Sequence, residues 1–119
     1  MEAKTLKMLH ERIVKSFMDM LILAELINGP LSGYDVVMFI HKKFHLLVSS
    51  GTVYSLLYSM ERDGLIRGRW TARRRVYTLT EKGGETIKDI INLNDQIQYF
   101  LLNLFKGYKR VPLSIPVGE

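Results

Sequence analysis

Two short runs near the middle of the chain, Leu65-Ile66-Arg67-Gly68-Arg69-Trp70 and Arg75-Val76-Tyr77-Thr78-Leu79, are aromatic and β-branched. Four residues, Thr71-Ala72-Arg73-Arg74, separate them. The pattern reads as a β-hairpin with an arginine-studded tip. The flanking sequence has helical periodicity on both sides, so the hairpin belongs to a mainly α fold. Trp70, the single tryptophan, is expected to pack within the hairpin.

Upstream, Leu6, Leu9, Ile13, Phe17, Met20, Leu21 and Ala24 recur at steps of three and four, predicting one helix from about Ala3 to Asn28. From Phe17 onward it is apolar nearly all round, as a core helix should be. Asn28-Gly29-Pro30 ends it. A second helix starts after Ser32, with Asp35 placed for a capping box. Val36, Val37, Phe39, Ile40 and Phe44 form its apolar face, and His41, Lys42, Lys43 and His45 its wet end. Leu46-Leu47-Val48 is a short connector with room for a single β-bridge. Ser49-Ser50-Gly51-Thr52 opens a third helix. Val53, Leu56, Leu57 and Met60 form its buried stripe, and Gly64 closes it.

Downstream, Thr80 is suited to cap a long last helix, with Glu81 and Glu85 in its first turns. Ile87, Ile90, Asn94, Ile97, Leu101 and Leu104 follow 3-4-3-4-3 spacing, and Ile91, Phe100 and Phe105 widen the seam. Gly107, Pro112 and Pro116 end it and leave a tail. Three helices, a hairpin and a long helix make a winged helix-turn-helix plus a C-terminal dimerisation helix. The boundaries expected are 1–83 for the winged-helix domain, including an N-terminal helical extension, and 84–119 for the dimerisation helix and tail.

Composition removes several function classes. The chain has 119 residues, 47% hydrophobic and 24% charged, which suits one globular domain. It has no cysteine, so disulfide scaffolds, thiolate zinc sites and iron–sulfur clusters are excluded. The three histidines, His10, His41 and His45, are not spaced against a third ligand. No metal or cofactor is expected. No phosphate loop, dinucleotide motif or nucleophile pattern supports an enzyme. The start lacks a signal-peptide order, and the longest fully apolar run, Met20 to Ala24, is too short to span a bilayer. A soluble, cytoplasmic protein is the expectation.

The net charge of +5 is concentrated in one place. Arg62, Arg67, Arg69, Arg73, Arg74 and Arg75 fall in one window with a single acid, Asp63, while the remaining residues balance. One basic hotspot on a neutral body points to a polyanion partner, with duplex DNA leading. The third helix offers Ser49 and Ser50 at its start, where amides and hydroxyls can meet a phosphate. Thr52, Ser55, Tyr58, Ser59 and Arg62 supply an exposed face without the usual alternation of glutamate and lysine. The hairpin arginines Arg67, Arg69, Arg73, Arg74 and Arg75 extend the candidate DNA-binding set to the backbone or a minor groove. The apolar seam supplies the candidate homodimer interface: Ile87, Ile90, Ile91, Asn94, Ile97, Leu101 and Leu104.

Four spaced motifs carry a family resemblance. Asn28-Gly29-Pro30-Leu31-Ser32-Gly33-Tyr34-Asp35 resembles the start of the second helix in the PadR family of transcriptional regulators. Ser50-Gly51-Thr52-Val53-Tyr54-Ser55-Leu56-Leu57 resembles its third-helix signature. Glu61-Arg62-Asp63-Gly64-Leu65-Ile66 and Arg73-Arg74-Arg75-Val76-Tyr77-Thr78-Leu79-Thr80-Glu81-Lys82-Gly83 resemble its hairpin and the start of its last helix. The match runs from about Phe17 to Gly83. It departs from the family pattern at Ser55, where proline is common, and at Ser50. The stretch Glu2 to Lys15 is less typical and reads as an extra helix. The resemblance implies a dimeric winged-helix repressor with its third helix in the major groove, and it places Tyr54 near the DNA backbone.

Two other function classes fit the same fold. One is a protein-interaction module without DNA binding, since a fold does not decide a function. The other is a small-molecule-sensing repressor with an apolar effector at the dimer interface, lined by Tyr99, Phe100 and methionines.

Overall fold

The computed structural model describes residues 1–108. Pro112 and Pro116, expected in the tail, lie outside them. The described residues run α1 (Glu2–Ser16), α2 (Met18–Leu26), β1 (Leu31–Ser32), α3 (Gly33–Phe44), α4 (Ser50–Arg62), β2 (Ile66–Thr71), β3 (Arg74–Leu79), α5 (Glu81–Asn92) and α6 (Asn94–Leu102). The strands form one antiparallel sheet in the order β1-β3-β2. This is a winged helix, mainly α with a small sheet.

The single helix expected from Ala3 to Asn28 is two. Phe17 leaves helical geometry at φ −104 and ψ 13, although its N–H still reaches the Ile13 carbonyl. The halves serve different surroundings. Val14 alone is buried on α1, whereas α2 buries Met18, Ile22, Leu23 and Leu26. Phe17 stands where the chain leaves the body of the domain.

The third strand also differs from expectation. Leu46-Leu47-Val48 forms no bridge; Leu31 and Ser32 pair with Tyr77 and Val76 instead. An N-cap residue requires extended backbone, and Ser32 has it at φ −84 and ψ 169. The cap of α3 thereby doubles as a strand. Ser32 Oγ accepts from the Asp35 N–H at 3.1 Å while Asp35 Oδ2 accepts from the Ser32 N–H at 2.9 Å, closing the expected capping box.

Val36 and Ile40 of α3, Val53, Leu57 and Met60 of α4, Ile66 and Tyr77 of the hairpin and Ile22 and Leu23 of α2 form the core. The core continues past Gly83. Ile87 of α5 is 2% exposed and Ile90 packs beside it. Ile87 is therefore not available to a dimer partner as the seam suggested: α5 turns that position onto α2 and β3. The last helix is also interrupted. Leu93, at φ −93 and ψ 8, separates α5 from α6.

Close approach of α5 requires Gly83. A Cβ there would run into the Leu65 carbonyl oxygen, a backbone atom with nowhere to go. The hairpin turn is also tighter than expected. Thr71 and Arg74 are paired, leaving Ala72 and Arg73 as a two-residue turn with Ala72 at φ 55.

Two carboxylates tie the hairpin to the helices. Glu61, in the last turn of α4, accepts from the Gly68 N–H of β2 at 3.0 Å and from Arg75 of β3 at 2.8 and 3.0 Å. Asp35 accepts from Arg74 at 2.7 Å, and the same guanidinium donates to Ser32 Oγ at 2.9 Å. The Gly68 N–H foremost, and Arg75 with it, hold the Glu61 carboxyl below its ordinary range against the opposing effect of burial. The Ser32 N–H foremost, then the Ser32 hydroxyl and Arg74, hold Asp35 down likewise.

Two expectations follow. Gly83→Ala should lower stability by about 1–3 kcal/mol, as overpacking against fixed backbone does; urea unfolding measures it. Both carboxyls are depressed in the folded state, so the unfolded chain takes up protons first. Their contribution is complete above the ordinary carboxylate range and is lost as pH falls through and below it. Glu61→Gln should therefore lower the Tm at neutral pH, and its deficit should close in acid, as followed by thermal unfolding across a pH series.

Candidate nucleic-acid interface

Core packing fixes the rotation of α4. With Val53, Leu57 and Met60 inward, the opposite face presents Gly51, Ser55, Tyr58 and Arg62, all exposed and spaced at four, three and four residues. Ser49 Oγ caps the helix by accepting from the Thr52 N–H at 3.1 Å, and its hydroxyl lies 2.8 Å from Thr52 Oγ1. Ser50 is exposed in the first turn. Thr52, Ser55 and Ser59 border a groove of about 810 Å³ whose far side is Lys15 and Met18. Arg62 lies 3.4 Å from Ser59 Oγ and 5.8 Å from the centre of the Tyr58 ring, which orients its side chain along the helix. The hydroxyl-bearing residues picked from sequence thus share one side of α4, with Ser59 half-buried on its flank.

Tyr54 points the other way. Its ring lies against the backbone of Gly33, where a Cβ would collide with it, yet 49% of the residue stays exposed. It lines a cleft of about 490 Å³ with Tyr34, Trp70 and Arg73. Trp70 does not pack within the hairpin as expected; it is 70% exposed. It shares the strand face of Ile66, but by that register the hairpin has run beyond the helices that bury Ile66.

The hairpin arginines divide into two groups. Arg67 and Arg69 alternate on one face of β2, Arg73 sits in the turn, and all three are exposed with no acidic partner among the described residues. Arg74 and Arg75 instead face Asp35 and Glu61. The hydrogen bond to Glu61 foremost pushes the Arg75 guanidinium up from its ordinary value. The tip is consequently less cationic than the sequence window implied. Sequence reasoning missed Tyr34 and Lys15 at the site, and the ion pairs of Asp35, expected only as a helix cap, and of Glu61. Tyr34 carried a signal, an aromatic in the first turn of a capped helix; the ion pairs are 39 and 14 residues apart and carried none.

Away from this face, α6 buries none of its residues. Leu101 and Leu104 are exposed, as are Ile91 on α5 and Tyr99 and Phe100 on α6, while Ile97 is half-buried and Asn94 opens α6 in solvent. On α1, Leu6, Leu9 and Ile13 form a second exposed apolar stripe. Among the described residues no helix is long and apolar enough to cross a membrane.

The transcriptional regulator PadR-like family matches residues 22–89, more than half of the chain. A PadR-like transcriptional regulator from Bacillus cereus is 26% identical with a TM-score of 0.70, over 81% of this chain and 98% of its own. A PadR family regulator from Eggerthella lenta shares the fold at 18% identity and a TM-score of 0.73, over 89% and 96%. Bacillus subtilis PadR, solved in complex with operator DNA, shares it at 21% identity and a TM-score of 0.57, over 86% of this chain and 53% of that one. No curated protein matches the chain. The family match, the winged-helix fold and the four motifs agree: the chain belongs to the PadR-like family of transcriptional regulators.

Proposed function

We propose that the protein is a homodimeric repressor that binds duplex DNA sequence-specifically, reading bases with α4 and holding the backbone with the hairpin. The observation that carries this reading is the pairing of two surfaces on adjacent elements. One is an exposed α4 face of small hydroxyls, Tyr58 and Arg62. The other is a hairpin whose Arg67, Arg69 and Arg73 have no acidic partner among the described residues. Hydroxyls donate to or accept from either kind of base edge, and the arginines supply phosphate contacts that fix register without reading sequence. The operator complex of the Bacillus subtilis relative supports a DNA partner.

The dimer is proposed from the two apolar stripes. Leu6, Leu9 and Ile13 of α1, Leu101 of α6 and Leu104 just after it are large apolar residues left exposed, and exposed apolar stripes of this kind mark interaction surfaces. A twofold dimer sets two α4 helices on one duplex, with half-site centres about 34–36 Å apart or a multiple of that.

Selection of duplexes from a random pool tests the DNA reading. Wild type should enrich a palindromic site, Ser55→Ala and Tyr58→Ala should alter the preferred bases, and binding should weaken steeply with salt. Arg67→Ala, Arg69→Ala and Arg73→Ala should each flatten the log–log salt slope by up to about 0.9, while Arg74→Ala leaves it nearly unchanged. Failure to enrich any duplex would favour a protein-interaction module. For the dimer, sedimentation at micromolar concentration should give twice the monomer mass, and Leu101→Glu should give monomer because it places an unpaired charge in the interface.

A further inference from the structure

The described residues include eight glycines, and internal structure accounts for six. Gly29, Gly64 and Gly107 adopt positive φ, a conformation that favours glycine. Gly33, Gly68 and Gly83 face the Tyr54 ring, the Arg75 guanidinium and the Leu65 carbonyl, and a Cβ would collide with each. Gly51 and Gly84 remain. Both lie in helices without positive φ, and a Cβ on either would meet nothing within 4 Å. Alanine would suit a helix better at both positions. Among the described residues nothing in the fold therefore gives a reason for the glycine at Gly51.

Its place on the surface gives one. Gly51 lies on the α4 face that carries Ser55, Tyr58 and Arg62, opposite the core stripe, and it is exposed. It is the one position of that row with no side chain, so a partner can come nearer to the helix axis there than anywhere else along it. Glycine is used where another backbone or a ligand must approach closely.

We propose that Gly51 is the point of closest approach between α4 and duplex DNA. The bare backbone lets the first turn of α4 seat in the major groove deeply enough for Ser55 and Tyr58 to reach base edges. Gly51 thus acts as a positioning residue that sets the depth of the reading helix. It contributes no charge and no hydrogen-bonding side chain. This rests on the DNA-binding reading above.

The test compares Gly51→Ala, Gly51→Leu and Gly84→Ala with wild type on the duplex that wild type enriches. Gly51→Ala should keep or raise the Tm, by up to about 4 °C, and should bind the duplex at least tenfold more weakly. Gly51→Leu should bind more weakly still. The salt slope should stay that of wild type, because no phosphate contact is removed. Gly84→Ala, on α5, should keep or raise the Tm and leave DNA affinity unchanged, separating clearance at α4 from a general effect of helix stiffening. Three results overturn the proposal: Gly51→Ala binding within twofold of wild type, a lowered Tm for Gly51→Ala, or an equal affinity loss in Gly84→Ala. If wild type enriches no duplex, the DNA-binding reading itself falls and takes this proposal with it, a result visible before any variant is made.

Discussion

One carboxylate sets the relation between α4 and the hairpin. Glu61 lies in the last turn of α4 and accepts hydrogen bonds from both strands, through the Gly68 N–H and the Arg75 guanidinium. Hydrogen bonds to charged groups contribute about 1.5–3 kcal/mol, whereas an exposed ion pair contributes about 0–1 kcal/mol. The difference separates the two clamps. The Arg74 side chain of the Asp35 pair is 59% exposed, while Glu61 and Arg75 are each less than a third exposed and Glu61 also accepts from a backbone N–H of the hairpin. Glu61 is the stronger constraint, and it is also the one attached to α4. Whatever angle the hairpin takes relative to Tyr58 and Arg62, three residues before and one after it, is set there.

Absent side chains make that geometry available. Arg75 crosses β2 where Gly68 leaves the space open, Tyr54 lies on the backbone of Gly33, and α5 closes on Leu65 at Gly83. Each joins separate elements: strand to strand, α4 to the start of α3, and α5 to the turn before β2. The interior is close-packed, and a single added carbon is felt there. A shift of α4 consequently reaches the hairpin through Glu61 and reaches α3 through Tyr54. Tyr54 and Arg75, one partner from each contact, line the cleft with Tyr34, Trp70 and Arg73.

The parts of this fold legible in the sequence are those governed by local chemistry. Ser32, Ser49 and Thr80 cap the three helices they were expected to cap, because a cap is a contact three residues long. The hairpin strands and the buried stripe of α4 follow from periodicity. The breaks at Phe17 and Leu93 carry neither glycine nor proline, so they do not show in the sequence; they mark where helices pass from the packed body to its surroundings. The assignment of Ile87 to the apolar seam failed for a related reason. A 3-4 spacing identifies one face of a helix but not what covers it, and the first turns of that face are covered by α2 and β3. Glu61 was overlooked because its significance depends on residues of the hairpin brought near only by folding.

The arginine window shows how folding alters what a charge count means. Six arginines in fourteen residues suggest one uniformly cationic surface. The fold removes two of them to Asp35 and Glu61 and leaves Arg62, Arg67, Arg69 and Arg73 outward. The two groups do different work. Arg74 and Arg75 spend their charge holding the hairpin against α3 and α4, so the remaining arginines are presented from a frame that does not have to be ordered when a polyanion arrives. Ordering a loose arginine-bearing hairpin on binding would cost backbone and side-chain entropy. A smaller outward charge on a held hairpin therefore serves affinity better than a larger one on a free loop, and it concentrates any phosphate contact on Arg67, Arg69 and Arg73.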